Sequence, residues 1–192
     1  MPELPDLEVF KGNIFKQISS KKLTAIRVYN PNKVNLPTMA LEERLKSEVL
    51  QAIDRVGKEL YFVFSGGKCV TAHLMLNGTV SVLKSAADNV KFKIFAFEFE
   101  NETVLFSDRG GLCTIKYVSL PSPLGAPDAF SSDFTLEYFK KIAGKKARTN
   151  IKAFLIDQSV VKGIGNAYAD EILWDARISP HSVMGRDRKS VV

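Results

Sequence analysis

Val90-Lys91-Phe92-Lys93-Ile94-Phe95-Ala96-Phe97-Glu98-Phe99-Glu100 is a run in which large apolar side chains mostly alternate with polar or small ones. A period of two places alternate side chains on opposite faces of an extended chain, so the run reads as a strand with one face in a core. Similar segments rich in Val, Ile, Phe and Tyr lie at residues 23–30, 48–56, 59–65, 68–76, 78–84 and 103–108. Gly66-Gly67, Asn77-Gly78 and Asn101 punctuate them as turns. Many short strands at this spacing predict an antiparallel β-sandwich or barrel, interrupted by a short helix at 39–46.

Outward from the strands, the pattern changes on both sides. Leu7, Phe10, Ile14 and Ile18 recur at steps of three and four, which predicts a helix over residues 5–18 with one apolar face. Pro121, Pro123, Gly125 and Pro127 read as a linker, after which strand character stops. Residues 135–144, 149–159 and 166–177 read as helices. The expected fold is therefore α+β: an N-terminal helix and β-sandwich over residues 1–120, a linker over 121–130, and an all-α domain over 131–192. A cleft between two such domains is a natural place for a ligand.

The 192 residues are 45% hydrophobic and 25% charged, ordinary proportions for a chain with real cores. No apolar run is long enough for a membrane span and no secretory leader is recognisable, so the chain reads as cytoplasmic, with no membrane partner. Cys69 and Cys113 have neither metal spacing nor a disulfide framework and read as reduced core thiols. His73 and His181 are too few and too far apart to suggest a metal site. The net charge of +6 points to a polyanionic partner, and Lys140, Lys141, Lys145, Lys146, Arg148 and Lys152 concentrate it beside a helix start. A solvated basic face accounts for that cluster equally well when it is taken alone.

Two stretches carry chemistry. If Met1 is removed, Pro2 presents a secondary α-amine, and such amines titrate at about 7.7–8.0 and are partly neutral near physiological pH. A secondary amine that attacks an aldehyde-like carbon gives an iminium, which has no N–H proton to lose and persists as an electron sink. Glu3 stands beside it as a candidate proton carrier. Read alone, Pro2 after Met1 is more often a processing signal than a nucleophile. The second stretch is Lys162-Gly163-Ile164-Gly165-Asn166. Its glycines allow close backbone approach, and Asn166 reads as the N-cap of a helix whose first N–H groups suit a phosphate. A plain turn between helices has the same spelling.

Met1-Pro2-Glu3-Leu4-Pro5-Asp6-Leu7-Glu8, Gly57-Lys58-Glu59-Leu60, residues 73–78, and Gly163-Ile164-Gly165-Asn166-Ala167-Tyr168-Ala169-Asp170-Glu171 follow one order and spacing across almost the whole chain. In this the sequence resembles the formamidopyrimidine-DNA glycosylase and endonuclease VIII family of base-excision repair enzymes. The resemblance implies a β-sandwich followed by a helix-two-turn-helix DNA-binding domain. It also implies a bifunctional glycosylase and lyase that works on damaged double-stranded DNA as a monomer, through an N-terminal proline Schiff base with β,δ-elimination. Carried over by position, Pro2 would attack C1′, Glu3 would be the acid/base, and Lys58 would act at the phosphates beside the lesion. His73, Leu76, Arg109, Lys152, Gly163, Gly165 and Asn166 would contact DNA. Two rival readings are a damaged-DNA binder without catalysis and a tautomerase-like enzyme using Pro2 as a base, though the second leaves the basic cluster unexplained.

The sequence departs from the family in two places. Leu76 occupies the slot of an intercalating Met, and Asp108-Arg109-Gly110-Gly111-Leu112-Cys113 replaces an Asp-Pro-Arg-Arg-Phe-Gly loop. Arg109 thus stands at the Pro position and Gly110 at that of the intercalating Arg, so lesion and opposite-base preference do not carry over. The family's last long helix and four-cysteine zinc finger would follow Pro180, where this chain has no Cys pair, so no cofactor or metal is expected within it. Asp187 to Val192 also match the in-frame translation of a common sequencing adapter, which suggests an incomplete helical domain whose natural frame continues past Met184. Such a domain is expected to expose Phe154, Leu155, Ile172 and Leu173.

Overall fold

The computed structural model describes residues 2–84, 89–118 and 125–185. Pro121 and Pro123 of the expected linker, Met1, and the ending from Asp187 lie outside the described residues. The chain divides into two compact units, Met1–Ser122 and Pro123–Val192.

In the first unit, helix α1 (Leu4–Ile18) buries Leu4, Leu7, Ile14 and Ile18, the face its periodicity marks. Strands β1 (Ala25–Val28), β2 (Leu50–Val56), β3 (Glu59–Phe64), β4 (Lys68–His73), β5 (Thr79–Leu83), β6 (Lys93–Glu98), β7 (Thr103–Ser107) and β8 (Thr114–Val118) form two antiparallel four-stranded sheets, and α2 (Thr38–Leu45) lies between β1 and β2 in sequence. Their orders are β1-β6-β7-β5 and β2-β3-β4-β8. The expected α+β class is what the chain adopts. Strand β8 is absent from the reading above although Thr114, Ile115, Tyr117 and Val118 are good strand formers.

The sheets meet through phenylalanines. Phe62 and Phe64 of β3 lie 5.3 and 5.4 Å from Phe97 of β6, and Phe106 of β7 lies 5.6 Å from Phe62, measured between ring centroids. All four are fully buried. Aromatic rings in tilted and edge-to-face contact contribute beyond their buried area. The adjacent apolar pair Ile94-Phe95 breaks the alternation, and the pairing of β6 with β7 shifts register between Lys93 and Phe95. A bulge of this kind bends the strand and lets two neighbours share one face.

The second unit holds α3 (Leu136–Lys145), α4 (Ile151–Ile156) and α5 (Asn166–Asp175). Thr135 caps α3 and Asn150 caps α4 through their side chains. The expected exposure of its apolar faces is corrected for three of four residues: Phe154, Leu155 and Leu173 are buried, and only Ile172 is exposed. The reason is a returning segment. Ile151 N–H donates to Ser182 O at 2.8 Å and Met184 N–H to Thr149 O at 3.0 Å, which brings Ile178 and Met184 onto the cluster beside Phe139 and Ile142.

Candidate active site at one end of the sandwich

Pairing register places the site. In one sheet Glu59, His73 and Thr114 stand side by side, and in the other Thr79, Ser107 and Lys93 do. The connections 74–78 and 108–113 run from one row to the other, so both loops lie at the same end of the sandwich. Gly57-Lys58 closes the β2–β3 hairpin next to Glu59. Gly57 has φ +61° with no left-handed angle at Lys58, the arrangement that suits glycine at the first position of a two-residue hairpin turn.

Pro2 is half-buried and Glu3 is only 2% exposed. Glu3 is the N-cap of α1, where its N–H donates to Asp6 Oδ2 at 2.9 Å within a capping box. This bond fixes the backbone next to the proline nitrogen, which a free chain end would leave to fray. Arg55 makes a second restraint. Its guanidinium donates from Nε to Glu8 Oε1 at 2.7 Å and from Nη1 to Gly57 O at 2.9 Å, joining α1 to the hairpin that carries Lys58.

Lys58 and Glu3 lie within electrostatic reach of each other. Burial pushes the Lys58 ammonium below the ordinary lysine range, and the Glu3 carboxylate opposes that shift. Burial likewise lowers the His73 imidazole, with Glu59 opposing and Lys58 and Lys116 adding to the effect. Met75 N–H donates to His73 Nδ1 at 3.0 Å, so the neutral ring carries its proton on Nε2. His73 therefore holds the 74–78 loop. Within that loop Met75 has φ +55° and Leu76 is exposed.

The neighbouring 108–113 loop is organised by Asp108, which is buried. Its carboxylate accepts N–H bonds from Gly110 at 2.8 Å, Leu112 at 2.6 Å and Cys113 at 2.8 Å. Arg109 and Leu112 are left exposed. A Cβ on Gly110 would lie 3.7 Å from Asn77 Nδ2, so the two loops adjoin. Pro2, Glu3, Lys58, His73, Leu76 and Arg109 are thus drawn to one end of the first unit.

The other four expected site residues belong to the second unit. Gly163, at φ +99°, and Gly165 form a buried turn held by Gln158, whose Oε1 accepts Gly163 N–H at 3.0 Å and whose Nε2 donates to Ile164 O at 2.8 Å. The expected capping role of Asn166 is corrected: Gly165 is the N-cap of α5, and Asn166 is its exposed first residue. The helix begins one residue earlier than an Asn cap would set it because the glycine supplies the extended turn. Lys152 forms an ion pair with Asp170 at 2.7 Å, and Lys146 one with Asp157, while Lys140, Lys141, Lys145 and Arg148 are exposed. The basic cluster therefore offers fewer unpaired cations than its composition suggests.

Asp6, Arg55, Asp108 and Gln158 were not singled out from the sequence. The pair Glu3 and Asp6 at a spacing of three was a readable cap signal, whereas Arg55 acts through a strand pairing that no local pattern reveals. Among the described residues no three His, Cys, Asp or Glu side chains gather as a metal site would require, and no helix is long and apolar enough to cross a membrane.

Residues 1–113 match the family model of the formamidopyrimidine-DNA glycosylase N-terminal domain, and residues 125–188 that of the formamidopyrimidine-DNA glycosylase H2TH domain. The chain is 33% identical over 187 residues to the formamidopyrimidine-DNA glycosylase of Carboxydothermus hydrogenoformans, covering 95% of this chain and 68% of that one. It is 31% identical over 188 residues to the enzyme of the same name from Lactiplantibacillus plantarum, covering 94% and 68%. Among solved structures it is similar to Lactococcus lactis formamidopyrimidine-DNA glycosylase bound non-covalently to DNA containing an abasic site. There the TM-score is 0.88 and the identity 26%, over 96% of this chain and 73% of that one. A structure of MutM with DNA containing carbocyclic 8-oxo-G gives a TM-score of 0.87 at 25% identity, over 98% and 73%.

Proposed function

Because this chain belongs to the formamidopyrimidine-DNA glycosylase family, we propose that it excises oxidised bases from double-stranded DNA and then cuts the strand at the sugar left behind. The observation that carries this reading is the junction at the sandwich end. A pinned Pro2-Glu3 terminus lies within electrostatic reach of a part-buried Lys58, at the end where the Leu76 and Arg109 loops project.

With Met1 removed, the Pro2 nitrogen attacks C1′ of the damaged nucleotide and the bond from C1′ to the base breaks, the base leaving with a proton. Ring opening gives an iminium between Pro2 and C1′. The iminium acidifies C2′, loss of that proton expels the 3′ phosphate, and a further elimination expels the 5′ phosphate. Glu3 acts as the acid and base, and Lys58 steadies the phosphates beside the lesion. The iminium is itself the electron sink, so these steps call on no metal or organic cofactor. The damaged nucleotide must leave the stack to reach Pro2, and unstacking costs least where pairing is already poor. In this reading the exposed Leu76 and Leu112 fill the gap, and Arg109 meets the backbone. In the second unit, the turn through Gly163 and Gly165, with Asn166 and Lys152, is read as a phosphate grip.

Borohydride trapping on a duplex with an abasic site tests the reading. The full chain with a free Pro2 should give a covalent adduct, absent for Pro2→Gly and for protein with a blocked N-terminus. An adduct that survives blocking would refute the proline nucleophile. No adduct from a folded chain that still binds the duplex would favour a damaged-DNA binder without catalysis.

A further inference from the structure

Phe92 is out of place by two independent measures. Its side chain is 56% exposed, so burial does not hold it, and its backbone has φ +58°, a conformation that bulky L residues rarely adopt. Glycine or asparagine would meet the same turn without strain. An outlier of this kind, kept at a surface, points to something outside the folded chain.

Its position says what that is. The Phe92 carbonyl accepts Asp108 N–H at 2.9 Å, which ties it to the residue that organises the Arg109 loop. The next residue, Lys93, stands in the row with Ser107 and Thr79 from which the 74–78 and 108–113 loops leave. Phe92, Leu76 and Leu112 are therefore three exposed apolar side chains at one end of the sandwich, interleaved with Lys91 and Arg109, both exposed. Aromatic rings set among cations are the means by which proteins hold unstacked nucleotides: the ring takes a base face and the cations take phosphates.

We infer that Phe92 stacks on a base exposed by the lesion, adding an aromatic ring to the apolar side chains that the two loops present. This rests on the proposed action on damaged duplex DNA. An intact duplex presents no free base face there, so the ring should favour the lesion duplex.

The test is fluorescence anisotropy of the full chain on a duplex with a tetrahydrofuran abasic analogue and on the same duplex intact. Phe92→Gly removes the ring while relieving the backbone, so its melting temperature should equal or exceed that of the wild type. Its affinity for the lesion duplex should nevertheless fall roughly 5- to 30-fold, with little change on the intact duplex, and Phe92→Trp should restore it. Lys91→Gln should instead weaken both duplexes and lower the salt dependence by about one phosphate contact. Unchanged lesion affinity in Phe92→Gly, or an equal loss on both duplexes, would overturn the inference while leaving the enzyme reading intact. A wild-type chain with no preference for the lesion duplex would overturn both.

Discussion

Asp108 shows how one side chain can shape a loop that has little else to hold it. Burial alone would push its carboxyl up, but N–H donation from Cys113, Leu112, Gly110 and Gly111 outweighs that and holds it below the usual aspartate range. A depressed folded pKa means that the stabilisation is fully present above the unfolded value, about 3.9, and is lost as pH falls through the folded one. Asp108→Asn should therefore cost about 1–3 kcal/mol at pH 7 and progressively less as the pH drops through the aspartate range, checked by urea denaturation at both ends. A penalty that does not vary with pH would mean that charge is not what organises the loop. Gly78 is a second residue with a legible reason: a Cβ there would lie 2.2 Å from the Leu74 carbonyl oxygen. The sequence marks Gly78 only as a turn, since the obstruction comes from how the loop folds back on itself. Phe92 was readable as one more strand residue, and nothing local announced its positive φ.

At the level of elements, the end that carries Pro2 and Lys58 depends on how α1 is seated against the β2–β3 hairpin. Periodicity alone finds α1 and its buried face, and the two-residue turn at Gly57-Lys58 follows from the strands on either side. What joins them does not show in the sequence, because Arg55 reaches Glu8 across 47 positions and returns to Gly57 two residues on. Arg55→Met should lower stability by about 1–3 kcal/mol, since a largely buried guanidinium loses partners while Glu8 keeps some solvent. Borohydride trapping should slow on the order of tenfold or more, because small misplacements of a nucleophile are expensive. DNA affinity should change far less. Equal losses in affinity and trapping would mean that Arg55 supports the fold and not the alignment of Pro2 with Lys58. The α5 cap was displaced by one residue because glycine and asparagine both suit a helix start.

Taken whole, the molecule is two units with unequal cores. The first packs two sheets and a helix around a phenylalanine cluster, while the second closes a much smaller group with α3 and a returning segment. Differential scanning calorimetry should resolve two transitions, with the helical unit melting first. A single two-state peak would show that the units unfold together. Acid should lower the transition of the helical unit. Hydrogen bonds from Lys146 and Ser159 hold Asp157 at about 2, a depressed value, so the second unit keeps that support above the ordinary aspartate pKa and loses it as pH falls toward 2. Composition and the proline-rich stretch made the two-part plan legible, whereas the covering of Phe154 and Leu173 was not, because it depends on residues 178–185 pairing back onto 147–150.

The two connections that carry Leu76 and Arg109 are also the seams of the sandwich. One takes the chain from β4 to β5 and the other from β7 to β8, each passing from one sheet to the other. A duplex held there, as proposed, would act as a clasp across both seams, and ligand that binds only the folded sandwich stabilises it by mass action. Amide hydrogens in β4, β5, β7 and β8 should then exchange with deuterium more slowly in concert when lesion DNA is bound, as one cooperative opening is suppressed. Repair substrate and sheet docking would in that way protect each other, and damage recognition would be written into the breathing of the protein core.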